Sequence, residues 1–563
     1  MIRKLCALAG VITLLALSTA YAVDGTSRYW VYFRDKNLTP GERQSALVRA
    51  EQTLTARARA RREKNHVALA EDSDLPVSES YVDQVRASGV HVRTVSPWFN
   101  AVSVEATPDQ MQMIGRMPCV QRVDEFHLVK AGSDPQSARG PRRQLDDPNY
   151  GPSRMQYALS HIPELHHRGL SGRGVMICFL DSGFELYHHA FDSMNVVAKY
   201  DFIHGDTTVQ DIAGQDSAGQ SSHGTGTLSV CGGYREGSLV GPAYHSDYLC
   251  AKTEWVPTET QVEEDNYVAA LHWADSIGTD ITSSSLGYIG PDSSNLWYTF
   301  AQLDGHTATT TRGLEFAASH GILCVTAAGN ERNDFWFPNW HHIVTPADAD
   351  SILAVGAVDS FGVITGFSSP GPTGDGRIKP DISAMGLDVY WAQAYTLDNY
   401  GYAAGTSLST PIVAGAAALV MEAHPTWTAQ QVRHAMMSTA SDAQDPNNDY
   451  GWGLMDAEAA ADFVIDDVPG GRQAVPRSTV LLSAFPNPVN GVATFTLTLP
   501  SDGTGKLVLY DVLGREAYAW QQSKWSAGEQ RVALNTAGFV SGIYFARFEG
   551  SAGSAIQKMV ILK

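Results

Sequence analysis

The 563-residue chain is 44% apolar and 18% charged, with a formal net charge of −20, so it can build several packed cores and is not disordered. The charge is uneven: residues 23–147 carry 18 basic and 17 acidic side chains, whereas 148–563 carry 20 and 43. An acidic body argues against nucleic acid as a partner, and the near-neutral, Arg-rich front reads as a separate piece.

Arg3 and Lys4, the apolar run Leu5 to Leu17 and Ala20-Tyr21-Ala22 predict a secretory signal peptide over 1–22. That run is too short to cross a bilayer, and no other stretch reads as a span. Residues 23–130 predict a small α+β domain. Its elements are a strand at Arg28–Phe33, one polar helix from Pro40 to about Ala70, and a helix at Tyr81–Ser88. Strands at Val90–Val95 and Ala101–Glu105, a helix at Pro108–Gly115 and an edge strand at Val120–Val123 follow. Residues 131–147, rich in Ser, Gly, Pro, Gln, Arg and Asp, read as an exposed, protease-accessible linker.

Over 148–460 short apolar strands alternate with helices. The strands are 175–180, 248–251, 280–283, 322–326 and 352–355; the helices fall at about 262–277, 311–319, 408–423 and 428–439. This pattern predicts an α/β fold with a doubly wound parallel sheet covered on both faces, whose chemistry gathers at the carboxyl ends of the strands. Pro469, Gly470, Gly471 and Pro476 mark a linker at 461–477, and 478–563 alternate like a small β-sandwich. The six cysteines show no C-x-x-C spacing. Cys178, Cys231, Cys250 and Cys324 lie in apolar runs and read as buried thiols, with a disulfide among them left open.

Gly405-Thr406-Ser407-Leu408-Ser409-Thr410-Pro411 runs into the apolar stretch Ile412–Val420. A tight turn feeding a buried helix places Ser407 at the helix N-terminus, where it either caps the helix or sits beside free N–H groups able to hold an oxyanion. Asp181 follows the first strand in Leu180-Asp181-Ser182-Gly183, His223 opens a helix in Ser222-His223-Gly224-Thr225, and Asn330 ends a strand in Ala327-Ala328-Gly329-Asn330. Each motif alone is an ordinary turn or cap. Together they give the order Asp, His, Ser, and Ser407 lacks the G-x-S-x-G elbow of other serine hydrolases.

On these motifs residues 148–460 resemble the subtilisin-like serine peptidases. The resemblance implies a triad of Asp181, His223 and Ser407, with Asn330 as the side-chain oxyanion donor. It also implies that Ser285-Leu286-Gly287 pairs with substrate backbone and that Tyr450–Asp456 closes the domain. Gly226 departs from the pattern, since many relatives carry a second His there. Phe335, Trp336, Phe337 and Trp340 depart from it too, and either wall the S1 pocket or pack as core. Asp201, Asp206, Asp211 and Asp216 form either a structural Ca²⁺ loop, without EF-hand spacing, or a solvated one.

The front domain resembles the inhibitory propeptides of subtilisins through Asn100–Glu105. The tail resembles the type A sorting domain of the type IX secretion system through Phe485-Pro486-Asn487-Pro488, Tyr510–Arg515, Ser541-Gly542-Ile543-Tyr544 and Gln557–Lys563. These resemblances imply a Gram-negative, secreted or surface-attached serine endopeptidase that reaches its site through the periplasm. It would be made as a self-processed zymogen, act on polypeptides and need no catalytic cofactor. A narrow maturase and a catalytically silent surface or adhesive protein are the alternatives.

Overall fold

The computed structural model describes residues 27–126, 149–257, 262–289, 298–333 and 340–465. It also describes 481–561 apart from 486–488, 490–491, 500–502, 512–514, 521–523, 527 and 551–552. The signal peptide, the linker at 131–147, most of the linker at 461–477 and Phe335, Trp336 and Phe337 lie outside the described residues, as do Pro486, Asn487 and Pro488.

The front domain runs β1 (Ser27–Phe33), α1 (Pro40–Thr53), α2 (Ala56–Lys64), α3 (Glu79–Arg86), β2 (His91–Ser96), β3 (Ala101–Ala106), α4 (Pro108–Ile114) and β4 (Val120–Phe126). Its antiparallel sheet has the order β2-β3-β1-β4, so β4 is an edge as expected. The single helix expected from Pro40 onward is two. Thr39 and Glu42 form a capping box on α1, and Thr55 breaks the path by capping α2 through Ala58 N at 3.0 Å. Alternation along β1 divides the sheet's faces. Tyr29, Val31 and Phe33 pack on α3 and α4 with Val82, Val85, Met111 and Ile114. Trp30 and Tyr32 face the other way, toward the catalytic body.

That body begins with α5 (Arg154–Ala158) and α6 (Ile162–His167), and then β5 (Met176–Asp181), β6 (Asn195–Asp201), α7 (Ser222–Gly232), the short pair β7 (Tyr234–Arg235) and β8 (Leu239–Val240), and β9 (Asp247–Lys252). It continues with α8 (Val262–Ile277), β10 (Ile281–Ser284), α9 (Thr309–Ser319), β11 (Leu323–Ala327), β12 (Leu353–Val358), β13 (Ile382–Met385), the hairpin β14 (Val389–Ala392) and β15 (Tyr400–Ala403), α10 (Thr406–Ala423), α11 (Ala429–Ser438) and α12 (Ala457–Ala461). Seven strands form one parallel sheet in the order β13-β12-β11-β10-β5-β9-β6. Both faces are covered, which is why the central strands carry apolar or small uncharged residues along most of their length. Ile177, Phe179, Val325 and Val355 meet α7 and α10 on one face; Met176, Cys178, Leu180 and Cys324 meet α8 and α9 on the other.

Trp30, Tyr32, Trp98 and Phe99 of the front domain join that second layer, packing with Val268, Leu271, Leu314 and Ala317, and Trp98 stacks on Phe316 at 5.8 Å. Chain contacts accordingly place the front domain and the catalytic body in one compact unit ending at Phe463, and 464–563 in a second. Thr406–Ala423 is the helix among the described residues long and apolar enough to cross a membrane, and it is the buried central helix of the body. Cys119, Cys178, Cys231, Cys250 and Cys324 are buried free thiols.

The second unit is a β-sandwich. A three-stranded sheet (Leu481–Phe485, Val492–Leu499, Gly528–Asn535) and a sheet built on Gly503–Asp511, Gly542–Gly550 and Gly553–Ile561 are both antiparallel. Phe495 and Leu497 from the first sheet and Leu507, Leu509, Ala546 and Phe548 from the second share one core.

Candidate active site

The site lies at the carboxyl ends of the strands. Asp181 is the last residue of β5, and Ser285 follows β10, its neighbour in the sheet, where Leu180 pairs with Ser284. Asp181 is fully buried. Its Oδ1 accepts from Ser182 N at 2.7 Å and lies 2.8 Å from His223 Nδ1, and its Oδ2 accepts from Thr227 Oγ1 at 3.0 Å. A carboxylate held from both sides and bonded to Nδ1 sets the ring orientation and leaves Nε2 for proton exchange.

Gly224 permits this approach: a Cβ there would stand 2.2 Å from Gly183 O and 3.0 Å from Asp181 Cβ, so only glycine lets α7 come this close. Thr227 lies four residues after His223, one turn along the same helix face, and its contribution was missed in the sequence although that spacing signals it.

Ser407 sits in the first turn of α10, partly buried. Its Oγ donates to Ser285 O at 3.3 Å, and Ser285 Oγ donates back to Ser407 O at 2.8 Å. Asn330, just past β11, accepts through Oδ1 from Thr406 N at 2.9 Å and Thr406 Oγ1 at 3.1 Å. Pinning the oxygen fixes which way the amide points and frees Nδ2 to donate elsewhere. Gly405, at φ +152°, leaves open space between the donors: a Cβ built there would be 3.7 Å from Ser407 N and 3.8 Å from Asn330 Nδ2. Ser407 N and the Asn330 side-chain amide thus border one open space at Gly405.

Ser285, Leu286 and Gly287 continue from β10 beside this point. Gly287 packs so tightly on Val344 that a Cβ would meet Cγ2 at 2.3 Å, and Tyr288 N donates to Thr345 O at 2.8 Å. Trp340 is buried and donates from Nε1 to Ile343 O at 3.0 Å, so it packs as core. At Gly226 the indole of Trp391 fills the space of a side chain: a Cβ there would lie 1.8 Å from its Cε3. Tyr450 O accepts from Ser383 Oγ at 3.1 Å, and Asp456 caps α12 through Ala459 N at 2.9 Å, so the closing segment is stitched to the sheet.

The four aspartates weighed for Ca²⁺ do not converge on one point. Asp201 and Asp216 flank the ammonium of Lys252, which is 3.0 Å from the first and 2.5 Å from the second, all three being buried or nearly so. His204 Nδ1 closes the group at 3.0 Å from Asp201. Asp206 accepts from Thr208 N at 2.6 Å, and Asp211 accepts from Ser221 N at 2.9 Å and from the Tyr395 hydroxyl at 2.6 Å. This donor set does not fit a divalent ion, because a side-chain cation already stands between its two buried carboxylates. Around Asp206 and Asp211 the same loop is partly exposed.

Three family models match parts of this chain. Residues 172–453 match the Subtilase family, 28–140 the Peptidase S8 propeptide domain of Bacteroidota, and 483–562 the Secretion system C-terminal sorting domain. Subtilisin E of Bacillus subtilis (strain 168) is 28% identical over 381 residues, covering 67% of this chain and 85% of that protein. A subtilisin of Bacillus pumilus is 31% identical over 309 residues, 54% of this chain and 98% of its own length. The alkaline protease of Alkalihalobacillus alcalophilus is 28% identical over 359 residues, 64% and 78% respectively. The chain belongs to the subtilase family of serine endopeptidases. It carries a propeptide domain in front and a sorting tail behind, and the tail marks it as secreted or attached to the outer-membrane surface.

Proposed function

We propose that the protein is a secreted endopeptidase that cleaves polypeptides through an acyl-enzyme on Ser407. His223 takes the Ser407 proton through Nε2 and returns it to the leaving amine, while Asp181 orients the ring and stabilises its charge. Asn330 Nδ2 and the Ser407 N–H hold the tetrahedral oxyanion, and the backbone of Ser285-Leu286-Gly287 pairs with the substrate strand. No metal takes part in these steps. The front domain is an intramolecular inhibitor whose first substrate is the linker at 131–147, and the tail engages the secretion machinery. The observation that carries the reading is the Asp181–His223 bond of 2.8 Å on an element adjoining the Ser407–Ser285 pair.

Ser407→Ala tests it. Loss of the nucleophile costs about 10⁶ in rate in subtilisin itself, so the variant should fold and accumulate with residues 23–147 attached. Asn330→Ala should mature slowly, at a cost of about 10²–10³. N-terminal sequencing and fluorophosphonate labelling read both. Labelling of Ser407→Ala, or its cleavage between 131 and 147 in a host without other proteases, would overturn the assignment.

A further inference from the structure

The front domain has a second attachment, distinct from its sheet on α8 and α9. Helix α2 lies across the C-terminal ends of both helices. It rests on the two glycines that follow them: a Cβ on Gly278 (φ +105°) would meet Ala58 N at 2.6 Å, and one on Gly321 (φ +82°) would meet Asn65 Cγ at 2.5 Å. The last carbonyls of an α-helix lack intrahelical donors and carry the negative end of the dipole. Arg61 supplies the donors to both. Its guanidinium donates to Thr279 O at 2.8 Å, His320 O at 3.2 Å and Asp275 O at 3.4 Å, and it is paired with the Asp275 carboxylate.

Arg62 Nη2 donates to Asp275 Oδ2 at 2.7 Å, and both its terminal nitrogens bond Asp74 of its own domain, at 2.8 and 2.7 Å. His320 Nδ1 lies 3.0 Å from Asp275 Oδ2, and its Nε2 3.3 Å from Glu71. One residue-turn earlier, Arg57 reaches Asp280 Oδ2 at 2.5 Å, Gly174 O at 2.8 Å and Gly278 O at 3.1 Å. Arg61, Arg62, Asp275 and His320 are each no more than 2% exposed. Burial alone would raise the Asp275 carboxyl, but the bond from His320 and the charges of Arg61 and Arg62 outweigh it and hold it well below the usual carboxylate range.

All these acceptors lie at the amino-terminal ends of β5, β10 and β11, whereas Asp181, Ser285 and Asn330 lie at the carboxyl ends. Strands of this length separate the two by about 13–20 Å at ~3.3 Å per residue. A cut in the linker beside Ser407 therefore leaves the remote attachment intact.

We infer that the C-terminal ends of α8 and α9, with Asp275 and His320, form a guanidinium-binding site on the catalytic domain, and that Arg61 and Arg62 of the cleaved front domain occupy it after processing. This rests on the front domain being an inhibitor cut from the chain. The site accepts guanidinium and not ammonium, because a planar fork is needed to reach a carboxylate and three carbonyls at once. The remote anchor then retains the front domain on the catalytic domain after the cut.

The test uses the processed wild-type protein, following release of the front domain by size exclusion and the onset of peptide hydrolysis. Millimolar argininamide should speed release by about tenfold over the same concentration of lysinamide. In Arg61→Gln/Arg62→Gln, retention after cleavage should weaken by about 100-fold or more, the effect of breaking a buried pair. Equal rates with both amides overturn the inference, and so does a doubly substituted front domain that stays bound like wild type. If the double variant does not fold, the amide comparison decides on the wild type alone. A processed wild-type complex that is fully active with its front domain bound would overturn the inhibitor reading itself.

Discussion

The carbonyl of Ser407 takes its hydrogen bond from the side chain of Ser285 because residue 411 is a proline. In an unbroken helix the N–H of residue 411 would bond to the carbonyl four residues earlier, and Pro411 has none to give. The Ser285 hydroxyl fills that vacancy at 2.8 Å, and Ser407 Oγ bonds back to Ser285 O at 3.3 Å. The position of Ser407, the proposed nucleophile, along its helix is thereby keyed to the end of β10.

This coupling can be measured. Ser285→Ala in an inactive Ser407→Ala background should cost about 1–3 kcal/mol, since it orphans a part-buried carbonyl. The same change made on Pro411→Ala should cost little, because the restored N–H satisfies the carbonyl. Urea unfolding of the four proteins forms a double-mutant cycle. Equal costs in both backgrounds would refute the link.

A second expectation concerns pH. Asp265 lies fully buried against the front domain, bonded by Ser103, and burial raises its carboxyl to about 7 even though Ser103, Arg93 and Arg28 oppose the shift. A carboxyl raised on folding is protonated in the folded state while the unfolded chain has already lost its proton. Its contribution is complete below the unfolded value near 4 and is lost as pH rises through about 7, by up to about 1.4 kcal/mol per unit. The unprocessed Ser407→Ala protein should therefore lose stability across that window, and Asp265→Asn should flatten the loss. Parallel stability–pH curves for the two would refute it.

Lys252 is expected to matter far more than any surface pair. Lys252→Met leaves Asp201 and Asp216 facing each other without their cation, a loss of about 3–5 kcal/mol. Arg235→Met, which removes a partner of Asp398 where both side chains are more than 40% exposed, should cost no more than about 1 kcal/mol. Denaturant midpoints in the inactive background give the comparison. Similar costs would mean that the buried cluster is not held by its charge.

The last concerns Gly226. Replacing it with the His that many relatives carry drives the side chain into the Trp391 ring, so Gly226→His should fold poorly or lose several kcal/mol. Adding Trp391→Gly should recover most of that loss. A fully stable Gly226→His would show that the hairpin β14–β15 moves aside freely.

Much of this was legible in the chain because the relevant forces are local. β5, β9, β10, β11 and β12 read as strands since both faces are buried and the residues between their charged ends are mostly apolar or small. β6 was missed: it is the sheet's edge, and its mixed exposure leaves no continuous run. β13 was missed because four residues between Pro380 and Gly386 carry too short a signal. Asp181, His223, Asn330 and Ser407 stood out because each sits in a turn or cap with its own residue grammar. Lys252, Thr406 and the arginines of α2 did not. Their roles depend on partners tens or hundreds of residues away, and no spacing along one segment encodes a meeting such as that of Arg61 with the ends of two helices.

Lys252 also bears on where such a protein can work. A free ion leaves its ligands when the medium is dilute or contains chelators, so a loop that depends on one takes its order from the surroundings. An ammonium on a four-carbon stem has an effective concentration at Asp201 and Asp216 that no compartment alters. The segment leading from β6 to His223 thus carries its counter-charge as part of the chain and does not draw it from the medium.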